Sequence, residues 1–587
     1  MIVRHALNPD TIPFLLQKRA VSSPADIAYS FPQLNQHYAW GSLWNETQAL
    51  AKGLLQLGIK KGDSVALLMT GRAELIISMF AIASIGAVIV PLNAYSKKDE
   101  IKVYLQSAKP AAMIIGTEGH HMNYPSMLLE IIAECRSNIT DAPWIPDSIF
   151  VVDGDGELPS PLRPFSELTT IASEASEEMF LAHCKAVTVS DPLILLYTSG
   201  TTAFPKGVIR TTAAFLSTKP TNKKTTRTAG LLGKATDIIA RRFSLISLLP
   251  LYHLGGFGTI FTNLKVCNVR IVLLGYFHPL HVIKAVEQEA CKIMVGTPYM
   301  VQRILSASKE DLSGLSSLIG ISFTSAAVSG SLLRKVNEEL KLLFFMVTYG
   351  SSETGSVANG TCFNKGRNNM LLSLLFKLLI RSRLLSGVID FEKFESNDYS
   401  LAGKVDRGVE VKIMHPETGG TLPNQEHGEV VVRSYRVMKY MDKHHNLSCF
   451  TSDGWFKTGD LGYLDDSNIL TISGRLRRLI SRGGEKISPV EIENLLLQNH
   501  DIEEAFVLGI PDDLYGEQVC ACVVARPGSI ATAESLKEIL AVRLSAFKVP
   551  RYVVFLPELP LSPTGKIAVG MMKELAMKQL EESKIHA

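Results

Sequence analysis

Residues 197–212 read YTSGTTAFPKGVIRTT, and what this stretch is decides the fold. The glycine set among hydroxyls, Ser199-Gly200-Thr201-Thr202, lets a backbone approach a polyphosphate closely while the hydroxyls donate to its oxygens. Thr198 extends the hydroxyl run, and Lys206 adds a mobile positive charge. The apolar run Leu193 to Leu196 reads as a buried strand that delivers the loop to a surface. A Ser/Thr/Gly cluster taken alone is equally an ordinary turn, so the neighbouring sequence has to decide.

Upstream, helical patterns alternate with short β-branched runs. Leu43 to Leu57 is helical, Ser64 to Leu68 a strand, Glu74 to Ser84 a helix, and Ala87 to Pro91 and Ala111 to Ile115 further strands. That alternation predicts βαβ units and a parallel sheet, with ligands outside the carboxyl ends of the strands. The run Leu75 to Leu92 is long enough to span a bilayer. Ser78, Ser84 and Gly86 interrupt it, however, and Val88-Ile89-Val90 change its character, so it reads as buried helix, turn and buried strand. Residues 140–190, rich in Pro, Asp and Ser, read as an irregular surface connection.

Downstream, Ser244 to Leu249 is a strand followed by PLYHLGG (250–256), which places His253 beside a flexible Gly pair where it could line a pocket. Ile271 to Leu274, Ile293 to Val295 and Ile319 to Phe323 continue the strand series. The apolar strand Leu342 to Val347 leads into YGSSETG (349–355). There Tyr349 offers a ring for stacking, and Glu353 a carboxylate for a metal ion bound to phosphates.

The chain has 587 residues, too many for one core, and a formal charge of +3, which gives no general reason to expect nucleic acid. Its eight cysteines contain no CxxC pair, so neither a zinc site nor a disulfide framework is indicated. The first residues lack the pattern of a secretory signal, and a cytoplasmic location is expected.

Together with WFKTGDLGYLDD (455–466), GRLRRLISRGGEKISPVEIE (474–493) and PLSPTGKI (560–567), these motifs resemble, in order and spacing, the adenylate-forming superfamily of acyl-CoA synthetases, luciferases and nonribosomal peptide synthetase adenylation domains. The resemblance implies an α/β fold, with a large multi-lobed domain over residues 1–476 and a small mobile α+β lid over 477–587. It also implies ATP- and Mg²⁺-dependent activation of a carboxylic acid to an acyl adenylate, followed by transfer to a thiol.

Carried over residue by residue, Thr198, Ser199, Gly200, Thr201, Thr202 and Lys206 would hold the β and γ phosphates. Tyr349 would stack on adenine with Ser352 beside it, and Thr198 and Glu353 would serve Mg²⁺. Asp460 would accept hydrogen bonds from the ribose hydroxyls with help from Arg475. Lys566 would bridge the attacking carboxylate and the α-phosphate, offsetting their repulsion. His253 and Gly296 would line the acyl pocket, and Gly483 and Gly484 would pass a pantetheine arm.

The chain departs from the family pattern at Ala203, at Thr212 for the usual His, at Thr324-Ser325-Ala326-Ala327 for Gly-Gly-Ala-Pro, at Arg478 for an acid, and at Val569 for an Arg. These departures touch the adenine site and the domain hinge, and none removes a group assigned to chemistry.

The PLYHLGG motif carries no acid to pair with a substrate ammonium, so a non-amino, apolar acid such as a fatty acid is expected. CoA and the phosphopantetheine of an acyl carrier protein both remain open as acceptor, as does a degenerate member without turnover. The stretch Asn368 to Gly387 places Ser373, Lys377 and Arg381 on one stripe of a Leu-rich helix. Peripheral contact with an anionic membrane and packing on the large domain fit that pattern equally.

Overall fold

The computed structural model describes residues 7–119, 122–137, 144–154, 157–198, 206–216, 243–265, 268–363, 388–389, 400–438, 440–441, 446, 448–482, 485–512, 515–544, 546–561 and 567–585. Its first sheet has seven strands. Ser64–Leu68 lies at the centre, parallel to Val88–Pro91 on one side and Ala112–Ile115 on the other. Pro192–Thr198 joins parallel to Val88–Pro91, and Lys206–Thr211 closes that edge antiparallel. The expected βαβ alternation is therefore present here.

Residues 140–190 do not form the irregular connection that their Pro, Asp and Ser content suggested. Ile149–Val151 and Leu162–Pro164 extend the parallel sheet, and helix Glu177–Ala186 packs Phe180 into the core. Strands of three residues are too short to leave a periodic signal, yet Phe150 is fully buried.

The second sheet has fourteen strands and two characters. Ile27–Phe31, Arg270–Leu273, Ser244–Ser247, Ile293–Gly296, Gly320–Phe323 and Phe344–Ser351 run parallel. From Gly355–Phe363 onward the main path is antiparallel, through Ser400–Val405, Ile469–Arg475, Phe456–Leu464, Gly428–Ser434 and Val409–Met414. The parallel arrangement expected from the βαβ pattern is present in the first half of this sheet, and an antiparallel half extends it.

Helix Ala73–Ser84 is buried on every side, as befits a helix apolar all round, and ends at Gly86 with φ +76 before strand Val88–Pro91. Phe80 of this helix meets Phe261 of helix Leu254–Lys265 with ring centroids 5.0 Å apart, within the core cluster that joins the two sheets. Among the described residues no helix is long and apolar enough to cross a membrane.

A third sheet of five strands contains Ile480–Arg482, Glu485–Ile487, Ile502–Asp512, Gly516–Ala525 and Tyr552–Phe555. It has its own two core clusters, flanked by helices Pro489–Leu497, Ala533–Arg543 and Val569–Ile585. This is the small C-terminal domain. It meets the large one through Ser488 Oγ, which donates to the Ser473 carbonyl at 2.8 Å, and through Gln302 Nε2, which donates to the Glu503 carbonyl at 2.9 Å.

Candidate active site

The strands on either side of the Ser/Thr/Gly motif, Pro192–Thr198 and Lys206–Thr211, pair antiparallel. Thr198, at the end of its strand, is registered opposite Lys206, the first residue of the return strand. Ser199, Gly200, Thr201 and Thr202, together with Ala203, lie outside the described residues, as do Gly483, Gly484, Lys566 and residues 368–387.

The YGSSETG motif is a second hairpin tip, with Ser351 registered opposite Gly355. Ser351 Oγ accepts from the backbone N–H of Glu353 and of Thr354, both at 3.2 Å, and so shapes the turn that presents Glu353. The two hairpins meet through a residue that none of the motifs identified. Tyr440 donates its hydroxyl to Glu353 Oε1 at 2.7 Å, and the Lys206 ammonium lies 5.6 Å from its ring centroid. The Met438 N–H also donates to the Glu353 carbonyl at 2.8 Å. An aromatic fifteen residues before WFKTGD is a weak signal, and only the fold brings Tyr440 to the other two.

Asp460 lies in strand Phe456–Leu464, registered opposite Arg475. Its Oδ1 accepts from Arg475 Nε at 2.7 Å and its Oδ2 from the Tyr349 hydroxyl at 2.7 Å. Burial pushes the Asp460 carboxyl above its ordinary value, against the downward pull of Arg475 and of the Tyr349 hydrogen bond, with Glu353 adding to the rise. Burial, and then Asp460, likewise raise the Tyr349 phenol well above its ordinary value. The fold thus brings Tyr349, Asp460 and Arg475 together, and brings Lys206 to Glu353 through Tyr440. Ser352 contributes its carbonyl, which accepts from Arg210 Nη1 at 2.7 Å.

His253 stands at the start of helix Leu254–Lys265 with its ring 4.6 Å from that of Tyr252, and Gly296 ends its strand against Leu248. Neither lines the best-formed cavity nearby, a space of about 290 Å³ between the strand ends of the two sheets. Leu92, Leu248, Tyr252, Tyr299, Met300 and Leu561 are among its walls. Leu561, which lines this cavity, belongs to the small domain and is bridged to Ile567.

Two departures from the family pattern take on geometry. Ser325 adopts φ +69, a conformation suited to glycine. Arg478 pairs with Glu493 at 2.5 Å and lies 4.2 Å from the Phe506 ring centroid, so it is held within the small domain.

No group of three or more His, Cys, Asp or Glu that could hold a metal occurs among the described residues. A single carboxylate such as Glu353 suits a hard cation that arrives already bound to phosphates, as Mg²⁺ does on ATP.

A large α/β domain of this plan, with Tyr440 joining the hairpin at Lys206 to the turn at Glu353, and a small C-terminal domain beside it are the parts of an adenylate-forming enzyme. The sequence profile of the AMP-binding enzyme family matches residues 16–440, and that of the AMP-binding enzyme C-terminal domain matches 491–566. The chain belongs to the AMP-binding enzyme family.

It is 28% identical over 587 residues to the medium-chain acyl-CoA ligase ACSF2, mitochondrial, of Danio rerio, covering 98% of this chain and 90% of that protein. The same protein of Mus musculus is 25% identical over 555 residues, covering 92% and 83% respectively. Among solved structures, ATP-bound MatB from Rhodopseudomonas palustris matches with TM-score 0.75 at 22% identity, covering 96% of this chain and 98% of that one. A Mycobacterium tuberculosis fatty acyl CoA synthetase matches with TM-score 0.64 at 23% identity, covering 96% and 98%. At these identities the structural matches establish the fold.

Proposed function

We propose that the chain is an AMP-forming acid–thiol ligase that activates an apolar, non-amino carboxylic acid with ATP and passes the acyl group to CoA. The observation that carries this reading is a pair of contact groups on one hairpin: Lys206, Tyr440 and Glu353 at its turn, and Tyr349, Asp460 and Arg475 on the strand that leads into it. The relatives named acyl-CoA ligases support the reaction class, and the leucine-rich cavity supports an apolar tail or thiol arm.

In the proposed mechanism Asp460 receives the ribose hydroxyls as donors, which requires its carboxylate form. Tyr349, held by its hydroxyl to Asp460, offers its ring to the adenine. Lys206 and the hydroxyls and backbone of residues 198–202 cradle the terminal phosphates. Glu353 and Thr198 would hold Mg²⁺, which when bound would neutralise the leaving pyrophosphate. Lys566 is assigned to the α-phosphate and the attacking carboxylate on motif position. Its fixed charge would offset the repulsion of two anions in a site poor in water. The domain boundary at 476/477 lets residues 477–587 swing between this pose and one that presents Gly483 and Gly484 to the thiol.

The test is ATP–pyrophosphate exchange against fatty, aromatic and amino acids, repeated with CoA and scored for thioester. Exchange confined to apolar acids with thioester on CoA is the expected result. Exchange without thioester moves the acceptor to a carrier protein, and no exchange with any acid overturns catalysis altogether. The membrane contact proposed for 368–387 is tested separately: deleting the segment is expected to abolish binding to anionic liposomes while turnover of short soluble acids persists.

A further inference from the structure

Four residues beyond Lys206, on the same face of the same strand and about 13 Å along it, stands Arg210. It is one of the largest fully buried side chains in the molecule, with 1% of its surface exposed. Its guanidinium reaches two separate elements: Nη1 donates to the Ser352 carbonyl at 2.7 Å, and Nη2 donates to the Ala214 carbonyl at 3.4 Å, in the short helix that follows its own strand. Nε has no hydrogen-bond partner among the described residues.

The far side of the turn is shaped around the guanidinium. Gly355 has φ +69, and a Cβ added there would lie 2.8 Å from Arg210 Nη2, so glycine satisfies both the backbone and the space. A buried cation of this kind is costly: burial pushes its pKa down to about 10, with the Glu353 carboxylate acting in the opposite sense and Arg436 adding to the fall. Ordinary packing at this position could be met by a leucine. The arrangement instead retains a charge directly behind the carbonyl that precedes Glu353.

The geometry points to Arg210 as a positioning residue for nucleotide binding: it locks the Ser352-Glu353 turn to the strand leaving the phosphate loop, and so sets the Glu353 carboxyl at a fixed place relative to Lys206. Two cations on one strand face then grip one turn, Lys206 through Tyr440 to the carboxyl and Arg210 through the Ser352 carbonyl. Only the second grip is independent of side-chain rotation in Glu353, because it acts on the backbone. The inference rests on the proposed reading that this turn faces the phosphates of ATP.

Calorimetric titration of the full-length protein with ATP, with and without Mg²⁺ and well below each variant's melting temperature, tests it. Replacing a buried charged donor whose acceptor carbonyl is left behind is expected to weaken ATP binding in Arg210→Met by about tenfold or more when Mg²⁺ is present, and by less without it. Arg210→Lys, which keeps the charge and one donor direction, is expected to recover part of that loss. In steady-state assays the KM for ATP is expected to rise more than kcat falls.

Gly355→Ala supplies a second arm. Its backbone strain is common to both backgrounds, so if the added Cβ acts by displacing Arg210, Gly355→Ala and Arg210→Met are less than additive on ATP affinity. Wild-type affinity in Arg210→Met, or strict additivity in the cycle, overturns the inference. Wild-type protein that binds no ATP overturns the reading beneath it. Should Arg210→Met be insoluble, Arg210→Lys carries the same comparison, with a several-fold loss expected and wild-type affinity overturning it.

Discussion

Glu504 lies in strand Ile502–Asp512, beside the contact that the Glu503 carbonyl and Gln302 make between the two domains. Burial, with Glu503 and Glu558 adding to it and Arg303 opposing, pushes its carboxyl up from 4.5 to about 6. Because the folded form holds its proton more tightly than the unfolded chain, the stability from this group is fully present below pH 4.5 and is lost as pH rises through about 6. Integrated from pH 7.5 down to pH 5, the linkage amounts to about 1.3 kcal/mol, which solvent screening of the exposed part of the side chain reduces to ~1 kcal/mol.

Glu504→Gln removes the titration while keeping the shape. Every other titrating group is common to both proteins and cancels in the comparison. Acidification from pH 7.5 to pH 5 is therefore expected to raise the melting temperature of the wild type relative to the Gln variant by about 1 °C. Parallel shifts in the two proteins would refute the claim that docking the small domain buries an ionisable carboxyl at this seam.

Asp460→Asn keeps an acceptor for Arg475 but exchanges a carboxylate for an amide at the proposed ribose site, and ATP affinity measured by calorimetry is expected to fall about 10- to 100-fold. The folded Asp460 pKa is raised, so wild-type affinity is expected to decline as pH falls through that value, and a pH series compared with the Asn variant isolates the effect. Tyr440→Phe removes the hydroxyl on Glu353 while leaving the ring under Lys206; a several-fold rise in the KM for ATP is expected, with a stability loss of about 1 kcal/mol in denaturant melts. Ser325→Gly relieves a left-handed backbone at φ +69 and is expected to stabilise the protein by about 1 kcal/mol. Leu92→Trp narrows the 290 Å³ cavity and is expected to reduce thioester formation while leaving ATP affinity unchanged.

The sequence by itself determined the elements whose signal is local. The buried run Leu75 to Leu92 resolved into helix Ala73–Ser84 and strand Val88–Pro91 because a change from helix-forming to β-branched residues at a glycine is written in adjacent positions. The motifs that mark the family were legible for the same reason, since each occupies a few consecutive residues. Strand order, the antiparallel half of the large sheet and the strands within 140–190 were not legible, because pairing partners lie far away in sequence and strands of three residues carry no period.

The site divides in the same way. Tyr349, Glu353, Asp460 and Arg475 could be named from motifs, but that the Tyr349 hydroxyl would meet Asp460 across 111 residues, and Tyr440 would meet Glu353 across 87, is a property of how the sheets are laid against one another. Arg210 makes the point most sharply. In the linear chain it is one basic residue after a phosphate loop, indistinguishable from a solvated surface charge. Only the tertiary structure, by folding the Ser352 turn over it from 142 residues away, buries its charge and gives its hydrogen bonds a task.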